Sequence, residues 1–156
     1  METSHILRGP ASRWKPIAFF VLLASMGTAA KAGLEREFVW ESFGESETLH
    51  VRVPETLRDH YSSKKRHYNY PNYVLEDEGY ELSAGLAGAF EKRAEEQGWD
   101  EWELLNAVVD FVQSLDYQSE TGEYPKYPVE TLMDGGGDCE DTAILLAAIL
   151  DKLSVN

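Results

Sequence analysis

The chain has 156 residues, 43% of them hydrophobic and 12% aromatic, and 28 acidic against 14 basic residues give it a net charge of −14. The length and apolar content predict a packed core and exclude a disordered acidic tail. The charge excludes nucleic acid and anionic membrane surfaces as partners, since both would repel the chain. The single cysteine excludes an internal disulfide and a multi-cysteine zinc site.

Residues 1–32 have the order of an export segment. Arg8, Arg13 and Lys15 precede an uncharged stretch at 16–30 (PIAFFVLLASMGTAA), and small residues end it. This order is typical of a secretory signal peptide. A membrane anchor is the alternative, although 15 helical residues reach only about 22 Å against a hydrocarbon core of about 30 Å. Both predict an extracytoplasmic protein, secreted or anchored at the outer face of the cytoplasmic membrane, that contacts the membrane only through this segment.

Residues 33–79 predict a β-hairpin and a loop-rich lead-in. The β-prone run 38–40 and the alternating run 49–53 are predicted strands, with Gly44 in the turn between them. A short polar helix is expected after the second strand. Residues 68–79 hold three tyrosines and a proline without helical period, and they predict an ordered loop that its tyrosines pin to the body.

Residues 80–128 predict two helices and a constrained connection. The first helix occupies 80–97, and the second begins at an Asp100 cap and runs to about Leu115. The second is apolar on more than one side, so we expect it at the centre of the core. Two Tyr-Pro steps within 124–128 keep the connection extended, because a residue before proline avoids the helical region.

A last helix is predicted from Cys139 to Leu153. One apolar stripe follows its helical period: Cys139, Ala143, Leu146, Leu150 and Leu153. On this stripe the cysteine is a small buried apolar residue, which is a common role for a free cysteine.

The segment 134–141 (DGGGDCED) is the candidate site, because its glycines let the backbone bend sharply and approach closely. Asp138 is suited to cap the helix, with Asp141 in the reciprocal position. Cys139 then lies in the first turn, where the dipole and unpaired N–H groups stabilise a thiolate or an oxyanion. The carboxylates of Asp138, Glu140 and Asp141 oppose a thiolate, so a basic partner or a bound cation is required to offset them.

Three stretches resemble the front half of a transglutaminase-like domain: 111–117 (FVQSLDY), 124–132 (YPKYPVETL) and 135–146 (GGGDCEDTAILL). The version they are similar to is the prokaryotic one, related to the bacterial transglutaminase-like cysteine peptidases. The resemblance implies an α+β, papain-like cysteine-enzyme fold in which residues 80–156 are the mostly helical N-terminal part. It also implies that Cys139 is the nucleophile.

The same resemblance implies a protein or peptide substrate, amide hydrolysis or acyl transfer, and no required cofactor. Calcium is a candidate ligand, because some relatives bind it through acids that correspond to Asp138 and Glu140. Relatives complete a Cys-His-Asp triad from strands that follow the cysteine helix, and the sequence ends at Asn156 before any such strand. We therefore expect a truncated, catalytically incomplete enzyme. The four histidines all precede the cysteine: His5, His50, His60 and His67.

A non-catalytic exported binding module is the alternative. It would use the acidic surface, with calcium held by Asp134, Asp138, Glu140 and Asp141. The absence of a usable histidine is the main support for this alternative to the leading enzyme reading. A nonfunctional fragment is the third reading.

Overall fold

A computed structural model describes residues 18–22, 33–75, 81–119, 122 and 124–154, and for residues 18–22 it describes the backbone alone. The elements in chain order are β1 Ala18–Leu22, β2 Gly33–Ser42, β3 Glu45–Pro54, α1 Glu55–Ser62, α2 Tyr70–Leu75, α3 Leu82–Gln97, α4 Glu101–Gln113, β4 Asp116–Tyr117, α5 Pro128–Asp134, β5 Gly136–Gly137 and α6 Cys139–Leu150. This mixture of helix and strand confirms the α+β prediction at the level of fold class.

The predicted hairpin is present. Strands β2 and β3 pair antiparallel from Gly33 with Pro54 to Ser42 with Glu45. The turn between them has positive φ at Phe43 and Gly44, 54° and 78°. Strand β1 pairs in parallel with β3, so β3 is the central strand. Its buried side chains alternate with exposed or half-buried ones, which turns one face of the sheet toward the helices.

The export segment is described only in part. Its middle, Ala18–Leu22, is strand β1. Residues 1–17 and 23–32, which include the small-residue end expected of a signal peptide, lie outside the described residues. Among the residues that the structure does describe, no helix is long and apolar enough to cross a membrane.

Helix α4 is central to the core, as its apolar composition predicts. It packs between β2 and α6, and its Phe111 is fully buried. The Phe111 ring lies 5.4 Å from Phe38, 5.1 Å from Trp40 and 5.6 Å from Phe90, measured between ring centroids. These four aromatic rings join the hairpin to α3 and α4.

The helix boundaries follow local signals. Gly98 ends α3 in the left-handed conformation, with φ of 71°. The predicted Asp100 cap of α4 is confirmed, since its carboxylate accepts the Glu103 N–H at 2.8 Å and the Glu103 carboxylate accepts the Asp100 N–H at 2.9 Å. Helix α4 ends at Gln113, before the predicted limit.

The prediction of a loop over 68–79 is wrong at its centre, where α2 occupies Tyr70–Leu75. A helix of six residues is too short to show a 3.6-residue period, and a proline is tolerated in its first turn. The tyrosine prediction is confirmed for Tyr73, which is buried. Its hydroxyl accepts the His67 N–H at 2.9 Å and donates to the His67 carbonyl at 3.0 Å.

Candidate functional site

Cys139 begins α6 and is exposed to solvent. Asp138 caps the helix from an extended conformation, and its carboxylate accepts the Asp141 N–H at 3.5 Å. In return the Asp141 carboxylate accepts the Asp138 N–H at 3.2 Å. The predicted reciprocal cap is therefore confirmed, and it places the sulfur in the first turn of a 12-residue helix.

The predicted buried stripe of α6 is confirmed in its second half, where Leu153 is buried and Leu146 and Leu150 are half-buried against the core, and it is wrong in its first half. Cys139, Ala143 and Ala147 are exposed, one turn apart on a single face. The buried apolar face is instead formed by Ile144, Leu145, Ala148 and Ile149. Because the helix carries apolar residues around most of its circumference, it has more than one stripe. The face with the larger aliphatic side chains removes more apolar area from water and is the one that packs inward.

Asp141 is buried, with 1% of its surface exposed. Besides the cap, its carboxylate accepts the backbone N–H of Lys126 at 2.6 Å. Burial raises the pKa of Asp141 to about 6, although the hydrogen bonds from Lys126 and Asp138 favour the charged form. This carboxylate therefore ties the Tyr-Pro connection to the start of α6.

The glycine run is explained by packing. Gly135 ends α5 with φ of 80°, and a side chain there would meet the guanidinium of Arg36. Gly136 pairs with Asp116 in the β4–β5 ladder, so close that a Cβ would meet the Asp116 carbonyl. Gly137 packs against the side chain of Asp141. The three glycines are thus required by the fold around the site.

The acids of the segment 134–141 point in different directions. Asp134 accepts a hydrogen bond from Arg58 at 3.0 Å and lies 3.6 Å from the Lys126 ammonium. Asp138 and Asp141 hold the cap, and Glu140 is half-buried in the first turn of α6. In the part of the chain that the structure describes, no group of three or more His, Cys, Asp or Glu side chains is arranged to hold a metal ion.

The described histidines have contacts elsewhere. His50 lies 3.4 Å from the Glu37 carboxylate, on neighbouring strands. His60 packs edge-on to Tyr61 within α1. His67 accepts the Asn69 N–H at 3.3 Å and packs on Tyr73. None of these contacts is with Cys139, and His5 lies outside the described residues.

An open groove of about 440 Å³ runs between α2 and α6, which we call the α2–α6 groove. Its walls are lined by Tyr70, Pro71, Val74 and Leu75 on one side and by Ala143, Ile144 and Ala147 on the other. Glu140 is the one charged residue among the described residues that line it. Sequence reasoning missed this groove because it assigned α2 to a loop and turned the alanine face of α6 inward.

Neither the family models, nor the curated proteins, nor the solved structures include a match to this chain.

Proposed function

We propose that this chain carries the nucleophile of an exported, transglutaminase-like cysteine enzyme with a papain-like arrangement, acting on amide bonds of proteins or peptides. The observation that carries the proposal is the placement of Cys139. Its side chain is exposed in the first turn of α6, one turn from Ala143 in the wall of the α2–α6 groove. A buried cysteine could not reach a polypeptide substrate. This one is open to solvent beside an apolar surface.

In the proposed reaction the Cys139 thiolate adds to the carbonyl carbon of an amide. A sulfur–carbon bond forms, the carbon–nitrogen bond breaks, and the amine leaves with a proton from an acid–base partner. Water or a second amine then attacks the thioester and releases the sulfur. The N–H of Cys139 opens the first helical turn and has no acceptor within the helix, so it is suited to hold the oxyanion between these steps.

The proposed acid–base partner is a histidine. The contacts described above for His50, His60 and His67 do not place any of them beside Cys139. Such a partner would offset the two carboxylates, Asp138 and Glu140, that flank Cys139 in sequence. Calcium bound by these two acids is the second means of offsetting them. Export is supported by the uncharged stretch 16–30 behind three basic residues.

Alkylation with iodoacetamide tests the nucleophile. The rate at Cys139 is compared, at pH 7, with free cysteine and with a control that combines Cys139→Ser and Gln113→Cys. Gln113 is exposed at the last position of α4, so the control thiol lies at the negative end of a helix. We expect Cys139 to react about two- to five-fold faster than the control thiol. Equal rates at the two positions would remove the nucleophile from the proposal.

A further inference from the structure

We propose that the α2–α6 groove binds the acyl-donor polypeptide through apolar side chains three to four residues from the reacting amide and through a basic residue next to that amide. The position of the amide rests on the proposed function. The binding itself depends on the groove alone, and it is measurable in a protein without the thiol.

The length of the groove predicts the number of residues between the reacting amide and the apolar side chains of the bound polypeptide. Cys139, Ala143 and Ala147 lie on successive turns of one face, and all three are exposed. From Cys139 to Ala147 the helix rises about 12 Å. An extended polypeptide covers that distance in three to four residues at about 3.3 Å each. A side chain seated over Ala147 therefore belongs to a residue three to four positions from a carbonyl at the sulfur.

The walls of the groove set the apolar preference. Leu75 is 64% exposed and Tyr70 is 38% exposed, so the described part of the chain leaves large apolar side chains of α2 open to solvent. On the opposite wall Ala143 and Ala147 have small side chains, so a polypeptide side chain can approach the helix closely at these two positions. A groove of about 440 Å³ lies within the usual range of roughly 300–1,000 Å³ for binding pockets.

The negative charge of the groove and of the chain predicts that the bound polypeptide carries a basic residue, and it predicts where that residue lies. Glu140 is the one charged side chain among the described residues of the lining, and it follows Cys139 directly. The whole chain carries −14, so an acidic polypeptide is repelled on approach and a basic one is attracted. A basic residue opposite Glu140 consequently lies next to the amide at the sulfur. An ion pair at a rim of this kind corresponds to about a two- to five-fold gain in affinity.

The binding test uses the full chain with Cys139→Ser, so that no covalent step takes place. The probe is fluorescently labelled acetyl-Lys-Gly-Leu-Leu-Gly-amide, followed by anisotropy. Two further probes replace the leucines by serines or the lysine by norleucine. We expect the leucine probe to bind at least ten-fold tighter than the serine probe, and about two- to five-fold tighter than the norleucine probe.

Paired variants locate the binding. Ala147→Arg fills the groove and is expected to weaken binding at least ten-fold, whereas Gln113→Arg, which adds the same charge at the exposed last residue of α4, leaves it unchanged. Glu140→Gln removes the preference for lysine over norleucine. Glu101→Gln, which changes a first-turn acid of α4, retains that preference.

Equal binding of the leucine and serine probes would overturn the proposal, as would an Ala147→Arg variant that binds like the parent. A chain that sediments as a dimer, and that Ala147→Arg dissociates, would assign the groove to self-association and also overturn it. If the peptides bind as expected and Cys139 alkylates no faster than its control, the groove remains a peptide site and the proposed cysteine chemistry is rejected. If instead Cys139 alkylates faster than its control and the peptides do not bind as expected, the groove is rejected as a peptide site and the proposed cysteine chemistry remains.

Discussion

The carboxylate of Asp141 accepts the backbone N–H of Lys126 at 2.6 Å, across 15 residues of chain. The same side chain also closes the cap of α6 by accepting the Asp138 N–H. One buried carboxylate therefore fixes both the start of the helix that carries Cys139 and the Tyr-Pro connection in front of it. Displacing this group is expected to loosen the site without touching the sulfur.

Replacing Asp141 with alanine is expected to lower the free energy of unfolding by about 2–4 kcal/mol. The change removes a helix cap, typically about 1 kcal/mol, and leaves the buried Lys126 N–H without its acceptor, about 1–3 kcal/mol. Urea denaturation measures the loss. Glu103→Ala is the matched control, because Glu103 holds the same position in the exposed capping box of α4 and the described residues give it no second partner of this kind. A loss at Asp141 no larger than that at Glu103 would show that the bond to Lys126 contributes nothing.

The same carboxylate predicts a pH dependence. Burial raises the pKa of Asp141 to about 6, from an ordinary value near 3.8, so the folded state holds this proton more tightly than the unfolded state. The stability it contributes is fully present below about pH 4 and is lost as pH rises through about 6, with a slope of at most about 1.4 kcal/mol per pH unit. The measurement is the difference in unfolding free energy between wild type and Asp141→Asn from pH 4 to 7. A difference that is flat or grows with pH contradicts the prediction.

The sequence predicted those features that depend on neighbouring residues. The cap at Asp138 and the hairpin turn at Gly44 are set by local hydrogen bonding and by a single backbone conformation, so a short window contains the signal. The bond between Asp141 and Lys126 has no such signal. It exists because the β4–β5 ladder and α5 bring two separated segments together, and only the folded chain specifies that.

The sequence also could not predict that the Cys139 face of α6 is exposed to solvent. A helix with one apolar stripe shows which face packs inward, whereas α6 is apolar on several sides. The choice between the Cys139 face and the Leu145 face depends on how well each fits the surfaces of α3 and α4. The local pattern holds no information on that fit, and the exposed cysteine and its groove appear only in the structure.

Gly136→Ala is expected to destabilise the chain by about 1–3 kcal/mol, because its Cβ would meet the Asp116 carbonyl and force β4 and β5 apart. Gly88→Ala is the control from the exposed face of α3, where the described residues outside its own turn of helix leave 4 Å clear around the new Cβ. That change is expected to stabilise by about 0.5–1 kcal/mol, since alanine favours a helix interior. Thermal unfolding of both variants checks the opposite signs. Two shifts of the same sign would contradict the close approach at Gly136.

Glu47→Gln is expected to lower the free energy of unfolding by about 3–5 kcal/mol, because it removes the carboxylate that faces the buried charge of Arg93. The pair joins β3 to α3 with an Nη2–Oε1 distance of 2.8 Å, and both side chains are almost fully buried. Glu35→Gln breaks the exposed pair with Arg52 on the same sheet, and we expect a loss of about 1 kcal/mol or less. The combined change of Glu47→Leu with Arg93→Met should lose less than Glu47→Gln alone. Urea denaturation of all three proteins tests this order, and equal losses for the buried and exposed pairs would contradict it.

Calcium is expected to bind weakly at Asp138 and Glu140. The Asp138 carboxylate already accepts the Asp141 N–H, and no third acidic ligand is grouped with these two in the described residues, so we expect a dissociation constant near 1 mM, at the weak end for protein calcium sites. At 10 mM calcium such a site raises the free energy of unfolding by about 1.4 kcal/mol.

The increase in unfolding free energy should disappear in Glu140→Gln and persist in Glu101→Gln. Magnesium at the same concentration separates coordination from screening of the acidic surface, because magnesium screens equally but requires a stricter octahedral geometry. Equal stabilisation by the two ions, or the same response in both variants, would assign the effect to the net charge of −14 and remove the calcium site from the proposed chemistry.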